Sequence, residues 1–324
     1  MSFTAADISD DEQFLAIVNT ALERCDFSTL HERSDNYKEL PIIYIVGAPR
    51  SGTTLVHQVL AKALPFGYID NVVARFWRKP SVGMRLSRIL MGDERHKLIT
   101  FESRLGVSPG PGGPHEFGYF WNRWMEFTEL GSHHLRPDEL ARIDRIGLRE
   151  SIESEILAYC KEGLLLKNLT CGFQASFLTS LHQKTIWIHV VRNPVTTVAS
   201  ILRFRMQHEL SDRRWFSLRP SSFPLSHLEN DIVAQSWQQV IDSRREISDE
   251  ILKSGAPSIL VNYEEFCLNP SSLIEMVLEK LLELGNHVDR RPIVFPAFKV
   301  ENNICLPSEL GEQLSDLERR YFSA

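Results

Sequence analysis

Pro41-Ile-Ile-Tyr-Ile-Val-Gly-Ala-Pro-Arg-Ser-Gly-Thr-Thr-Leu-Val-His-Gln-Val-Leu60 decides how the rest of this chain is read. Ile42 to Val46 is a short apolar, β-branched run, the pattern of a buried strand. Gly47 to Thr54 follows as a glycine-bounded loop. Leu55, Val59, Leu60 and Ala63 then recur at helical spacing. Strand, loop and helix in that order present backbone N–H groups and a helix N-terminus to an anion. Gly47 and Gly52 stand five residues apart and two threonines follow. That is the spacing of a Walker A loop, except that Thr53 stands at the lysine position and the cation is Arg50, inside the loop. In a Walker loop the lysine reaches the terminal phosphates of a nucleoside triphosphate and the next hydroxyl holds magnesium. Its loss argues against triphosphate chemistry, whereas an arginine still offers a planar, multi-donor fork to oxyanions. The glycines alone would also suit a plain tight turn. Arginine, serine and two threonines together favour an anion site at Arg50, Ser51, Gly52, Thr53 and Thr54.

Outward from this loop the chain repeats strand and helix. Phe66 to Val73 reads as a second strand, Gly163 to Leu169 and Thr185 to Val191 as further apolar strands, and Pro257 to Tyr263 as another. Helical patterns cover 137–162, Phe173 to His182, Asp231 to Leu252 and the stretch from Pro270 to about Leu284, with a last short helix near Leu310 to Tyr321. The expected fold is an α/β, P-loop-like three-layer domain, with a mostly parallel central sheet and helices on both faces. Residues 1–324 read as one domain, with 1–37 as an amphipathic helical lead-in and 73–160 as a mostly helical insertion. Phe14, Leu15, Val18 and Leu22 give the lead-in the look of a short packing helix.

Composition narrows the function. With 324 residues and 43% hydrophobic content the chain can bury a substantial core. A net charge of −6 gives no global attraction to nucleic acid or anionic membrane, so an anionic ligand must be held by local cations. No basic-then-apolar leader begins the sequence and no apolar run approaches the ~20 residues of a membrane span. The five cysteines, Cys25, Cys160, Cys171, Cys267 and Cys305, are scattered and odd in number. That usage suits reduced thiols and a cytoplasmic location, and no metal-type pairing is present.

Three further segments carry chemistry. Gly106-Val-Ser-Pro-Gly-Pro-Gly-Gly-Pro114 is a loop, followed at once by His115 and Glu116 and the aromatic run Tyr119, Phe120, Trp121 and Trp124. An acid/base pair beside aromatic walls suits an acceptor pocket, with His115 or Glu116 as proton acceptor. The alternative places Glu116 in a first helical turn and the rings in the core. His133 and His134 lack a spaced partner and read as surface residues. Lys167 ends a short apolar strand, and strand ends at the carboxyl edge of a parallel sheet are where ligands bind. Arg192 leaves the next strand, Pro194 fits the following helix start, and Ser200 lies about two turns along. Together Arg192 and Ser200 can clasp a second phosphate. Arg75, Arg78, Lys79, Arg85, Arg88, Arg95 and Lys97 form a basic run that reads mainly as a solvated helix face, with recognition of an anionic acceptor or donor as the other use.

Pro49-Arg-Ser-Gly-Thr-Thr54 resembles the 5′-phosphosulfate loop of sulfotransferases that use 3′-phosphoadenosine 5′-phosphosulfate (PAPS). The likeness is to the bacterial-type branch related to tyrosylprotein sulfotransferases. Leu164 to Leu169 resembles that family's strand with a catalytic lysine, which implies this role for Lys167. Val190 to Ser200 resembles its 3′-phosphate motif, implying that Arg192 and Ser200 hold that group. Val261 to Phe266 resembles the segment whose tyrosine lies near the donor nucleotide, implying this position for Tyr263. The resemblance, spanning roughly 41 to 284, implies PAPS as donor without a metal. It also implies in-line transfer to a hydroxyl or amine, with Arg50 and Lys167 stabilising charge and His115 or Glu116 as base. The implied acceptor is small-molecule, glycan or lipid in class, with no nucleic acid and no stable membrane insertion. One departure is Asn302 to Pro307, which lacks the lysine that related enzymes supply to the donor, although Lys299 stands just before it. A P-loop-type small-molecule kinase and a non-catalytic nucleotide-binding protein are the competing readings.

Overall fold

A computed structural model describes residues 9–25, 37–104, 106–128, 131–208, 215–224, 228, 231–300 and 305–323. Five strands, β1 (Ile42–Gly47), β2 (Gly67–Tyr68), β3 (Leu164–Lys167), β4 (Thr185–Val191) and β5 (Ser258–Asn262), form one parallel sheet in the order β2-β3-β1-β4-β5. Around it lie α1 (Asp10–Glu23), α2 (Thr53–Ala63), α3 (Pro80–Met91), α4 (Gly118–Met125), α5 (Pro137–Leu140), α6 (Arg145–Glu155), α7 (Ala175–Thr179), α8 (Pro194–Gln207), α9 (Ile232–Ser254), α10 (Tyr263–Leu268), α11 (Pro270–Glu283) and α12 (Ser308–Ser323). No helix among the described residues is long and apolar enough to cross a membrane.

The continuous apolar strands follow from burial on both faces. Alternation sends Ile42, Tyr44 and Val46 of β1 into one core with Leu164, Leu166, Trp187, Trp121 and Ile247. Ile43 and Ile45 enter the other, with Leu165, Ile186, Ile188, Val56, Leu60 and Ile274. Tyr44 stacks on Trp187 with centroids 4.5 Å apart, filling the centre of the first core. β5 lies at the sheet edge, and there only Ile259 and Val261 are buried while Leu260 faces out.

Several expected elements differ. The strand expected over Phe66 to Val73 is only the two residues of β2, because Asp70 turns the chain by accepting from the N–H groups of Val72 and Val73 at 3.0 and 2.9 Å. The helix expected over 137–162 is interrupted. Asp144 accepts from Gly147 N and starts a new helix, and a 3-10 turn, Leu157–Tyr159, closes the segment. Phe173 to His182 contains the end of a 3-10 segment and the short α7. Arg213, Arg214 and most of Asn302 to Cys305 lie outside the described residues.

Because β1 sits between β3 and β4 and its own crossover leads toward β2, the chain reverses direction across the sheet at β1/β4. Crevices for ligands open at such a switch point, beyond the carboxyl ends of the strands. The loops leaving β1 and β4 both begin there.

Candidate active site

The β1–α2 loop turns sharply at Arg50 (φ 65°) and at Gly52 (φ 97°), the N-cap of α2. A side chain at Gly52 is excluded twice. Its φ is left-handed, and a Cβ would come within 2.1 Å of the Tyr263 ring. No side chain caps α2; Leu55 N donates to the Gly52 carbonyl at 3.1 Å, which leaves the N–H groups of Thr53 and Thr54 for an anion at the loop. Ser51 is 1% exposed, and its Oγ has no hydrogen-bond partner among the described residues.

The β4 exit closes over this loop. Arg50 Nε donates to Ser200 Oγ at 3.0 Å, although the two residues are 150 positions apart. Arg192 Nη1 donates to the Arg50 carbonyl at 3.4 Å, and its guanidinium lies 5.0 Å from the centre of the Tyr263 ring. Asn193 caps α8, its side chain accepting from Thr196 N, with Pro194 in the first turn. Arg50, Ser51, Gly52, Arg192, Ser200 and Tyr263 thus come from four elements to one end of the sheet. Two arginines and a helix N-terminus at that point make it strongly attractive to phosphate-like groups.

β3 contributes the second part. Lys167 stands beside Ile45 in register, and alternation turns it toward α2. Its side chain is 3% exposed, its Nζ donates to Thr54 Oγ1 at 3.1 Å, and it forms an ion pair with Glu116 Oε1. Thr54 Oγ1 in turn donates to the Gly106 carbonyl at 3.2 Å, joining the loop ahead of His115 to α2. Glu116 is not in the first turn of a helix as one sequence reading placed it. α4 begins at Gly118, and Phe117 precedes it with φ 58°. This leaves the Glu116 carboxylate aimed at Lys167 and 41% exposed on its side chain. Asn168 Nδ2 fixes the Glu116 carbonyl at 3.1 Å. The sequence reading did not single out Asn168; its position directly after Lys167 was the available signal.

His115 is held differently. Its N–H donates to Ile69 O at 2.8 Å and its Nδ1 accepts from Phe117 N at 2.8 Å. Burial holds its imidazole below the ordinary range, the Glu116 carboxylate opposes that shift, and Arg75 and Lys167 add to it. His57, buried on α2, is pushed down to about 3 by burial and by the nearby Lys167. Both rings are therefore neutral near pH 7.

His115 also lines a cavity of about 580 Å³. Its apolar walls include Leu15 of α1, Phe76 and Pro111, and its polar lining is Asn71, Arg75 and His115. Asn71 is occupied in holding the Gly-Pro loop, since its Nδ2 donates to the carbonyls of Ser108 and Gly110 at 2.9 and 2.6 Å. Gln58 anchors the same loop through Ser108 Oγ at 3.0 Å. Of the aromatic run, Phe120 and Trp121 are core residues, while Tyr119 is 42% exposed and stacks on Trp77.

His133 and His134 are half-buried and engaged, rather than the plain surface residues expected. His133 accepts from Arg219 Nε at 3.2 Å and is pushed down to about 3 by burial. His134 Nδ1 lies 2.7 Å from Glu246 Oε2, which with Glu250 raises it to about 9. Within the basic run Arg75, Arg85, Arg88 and Lys97 are exposed, as expected of a solvated face, and Arg95 departs from it. Arg95 is 14% exposed and pairs with the buried Asp70 at 2.7 Å, beneath the Tyr68 ring.

Comparisons with known proteins bear on the family. The sequence profile described as "Sulfotransferase family" matches residues 41–283, from the start of β1 to the end of α11. No curated protein matches. Among solved structures, the sulfotransferase STF9 from Mycobacterium avium is 13% identical with a TM-score of 0.48, covering 98% of this chain and 79% of that one. Sulfotransferase STF1 from Mycobacterium tuberculosis H37Rv is 12% identical with a TM-score of 0.46, over 94% and 79%. A sulfotransferase from Alicyclobacillus acidocaldarius is 15% identical with a TM-score of 0.42, over 86% and 90%. The profile match spans most of the chain and every strand of the sheet, and the chain belongs to the sulfotransferase family.

Proposed function

We propose that this protein transfers a sulfuryl group from PAPS to a hydroxyl or amine of an acceptor, as a single catalytic domain with 73–160 on the acceptor side. The observation that carries this reading is the convergence of Arg50, Ser200 and Arg192 with the uncapped start of α2. Two phosphate-sized anions of one ligand, rather than a triphosphate chain, suit two arginines contributed by separate strand exits. The residues fit such a donor: Ser51 offers a buried hydroxyl lacking a partner, and Gly52 leaves room where a side chain would meet Tyr263. Bound PAPS would supply the sulfuryl group and leave as adenosine 3′,5′-bisphosphate.

In this scheme the first-turn N–H groups of α2, with Arg50, Ser51, Thr53 and Thr54, hold the 5′ end. Arg192 and Ser200 hold the 3′-phosphate, and Tyr263 lies against the nucleotide. Lys167, kept near Thr54 at the sheet edge, stabilises the charge that develops on the leaving oxygen. Glu116 takes the acceptor proton: one carboxylate oxygen pairs with Lys167, and a carboxylate has a second oxygen to accept with. His115, neutral and with Nδ1 already accepting from Phe117, orients the acceptor from the cavity wall. A cytoplasmic location and a small-molecule, glycan or lipid acceptor complete the proposal.

Calorimetric titration with adenosine 3′,5′-bisphosphate, with ATP and AMP as controls and no added metal, tests the reading. Bisphosphate should bind tightest, and Arg192→Ala should weaken it by at least tenfold, the loss expected for a charge-assisted phosphate contact. Preference for ATP with Mg²⁺ would sink the reading and favour a kinase.

A further inference from the structure

We infer that the acceptor is an amphiphilic small molecule, with an apolar body in the cavity beside His115 and a negatively charged group held by Arg75. This rests on the sulfotransfer reading for the word acceptor, but its structural basis is separate from the donor site. This space is a groove open to solvent, about 580 Å³ in volume, and most of its lining is apolar.

Arg75 stands apart within the basic run. Arg78 pairs with Glu23, Lys79 with Glu155, Arg95 with Asp70 and Lys97 with Glu94. Arg85 and Arg88 also have partners. Among the described residues the Arg75 guanidinium makes no hydrogen bond or ion pair, yet it lines the cavity. Its backbone is fixed, because it ends the 3-10 turn Val73–Arg75 and its carbonyl accepts from the fully buried Asn19 at 2.8 Å. Glu12, which feels the Arg75 charge, already accepts from Tyr119 Oη at 2.7 Å and from Ser9 N at 3.2 Å. Arg75 is exposed at the rim of this apolar groove, and in a protein of net charge −6 such a local cation favours a ligand that brings its own negative charge.

The same geometry assigns α1 a role in specificity. Leu15 forms one wall of the cavity, so the lead-in helix sets the room available to the apolar body.

Two matched probe pairs test this: 10-hydroxydecanoate against 1-decanol, and 3-(4-hydroxyphenyl)propanoate against its amide. Each is titrated into the full-length protein with and without adenosine 3′,5′-bisphosphate. In at least one pair the acid should bind about tenfold tighter than its neutral partner, as expected for a hydrogen bond to a charged group. Arg75→Gln should bring that ratio close to one, and Leu15→Trp should weaken the acid by narrowing the cavity. Equal affinity within both pairs, no binding by any probe, a ratio that survives Arg75→Gln, or full affinity in Leu15→Trp would each overturn the inference. The bisphosphate titration reads the donor site by itself. Its failure alongside a retained, Arg75-dependent acid preference would remove the donor reading while still supporting an anionic ligand at Arg75.

Discussion

Ser51 illustrates how the site is built at the scale of single residues. Its side chain is buried and its Oγ lacks a partner among the described residues, whereas Ser200 Oγ and Thr54 Oγ1 are both engaged. A buried hydroxyl without a partner costs the fold its lost hydration. Ser51→Ala should therefore raise stability by about 1 kcal/mol in thermal or urea denaturation, while weakening adenosine 3′,5′-bisphosphate several-fold in titration. An alanine variant that is less stable, or one that binds the bisphosphate as well as before, would contradict a ligand-facing role. The loop's residue types were legible in the sequence because glycine, arginine and hydroxyls at that spacing have few other uses together. The Lys167–Glu116 pair was not, because it joins residues 51 positions apart on different elements. Sequence spacing offers no view of such a contact.

α1 shows the same limit at the scale of elements. Its apolar spacing predicted a packing helix, and Ser9 with Glu12 forms a capping box at its start. What the helix packs against depends on Asn19, a polar residue on the buried side. Its Nδ2 donates to the carbonyls of Leu15 and Arg75, and its Oδ1 accepts from Arg78 N at 2.9 Å. Asn19→Ala leaves the groups at 75 and 78 unmatched, so it should cost about 1–3 kcal/mol. Urea denaturation measures that loss, and amide hydrogen exchange should show α1 opening more readily than the sheet. Unchanged stability and exchange would mean that α1 is held by its apolar contacts alone. The interrupted helices between 137 and 162 were misread for a related reason: mixed charge at helical spacing continues past Asp144, but its carboxylate caps a new start.

For the molecule as a whole, four histidines set opposing limits on stability. Burial pushes His57 and His133 down to about 3 and His189 to about 4, against an ordinary value of 6.5. Below pH 6.5 the unfolded chain takes up protons that the native state refuses, so stability falls as pH drops toward 4. Each such group contributes up to about 1.4 kcal/mol per pH unit in that window. His134 acts the other way. Raised to about 9 by Glu246 and Glu250, it stabilises fully below pH 6.5 and loses that contribution as pH rises through 9. Denaturation midpoints should therefore peak near pH 6.5–7. His134→Gln should flatten the alkaline limb and leave the acid limb in place; a variant with an unaltered alkaline limb would show that the Glu246 and Glu250 contacts do not supply that stability.

The sequence by itself determined the alternation of strand and helix, the parallel sheet and the glycine-bounded loop after β1. Each is local: periodicity, β-branching and glycine spacing act over a few residues. It also supplied the ordered segments whose likeness to sulfotransferases the match over 41–283 bears out. Tertiary structure alone decided that Arg50 meets Ser200, that Lys167 meets Glu116, and that the lead-in helix walls the cavity beside His115. It alone separated Arg75 from the other basic residues of its run and drew His133 and His134 inward. These outcomes depend on which elements the crossovers bring to one end of the sheet. Contacts of that kind are fixed by the packing of distant segments, and no local pattern encodes them.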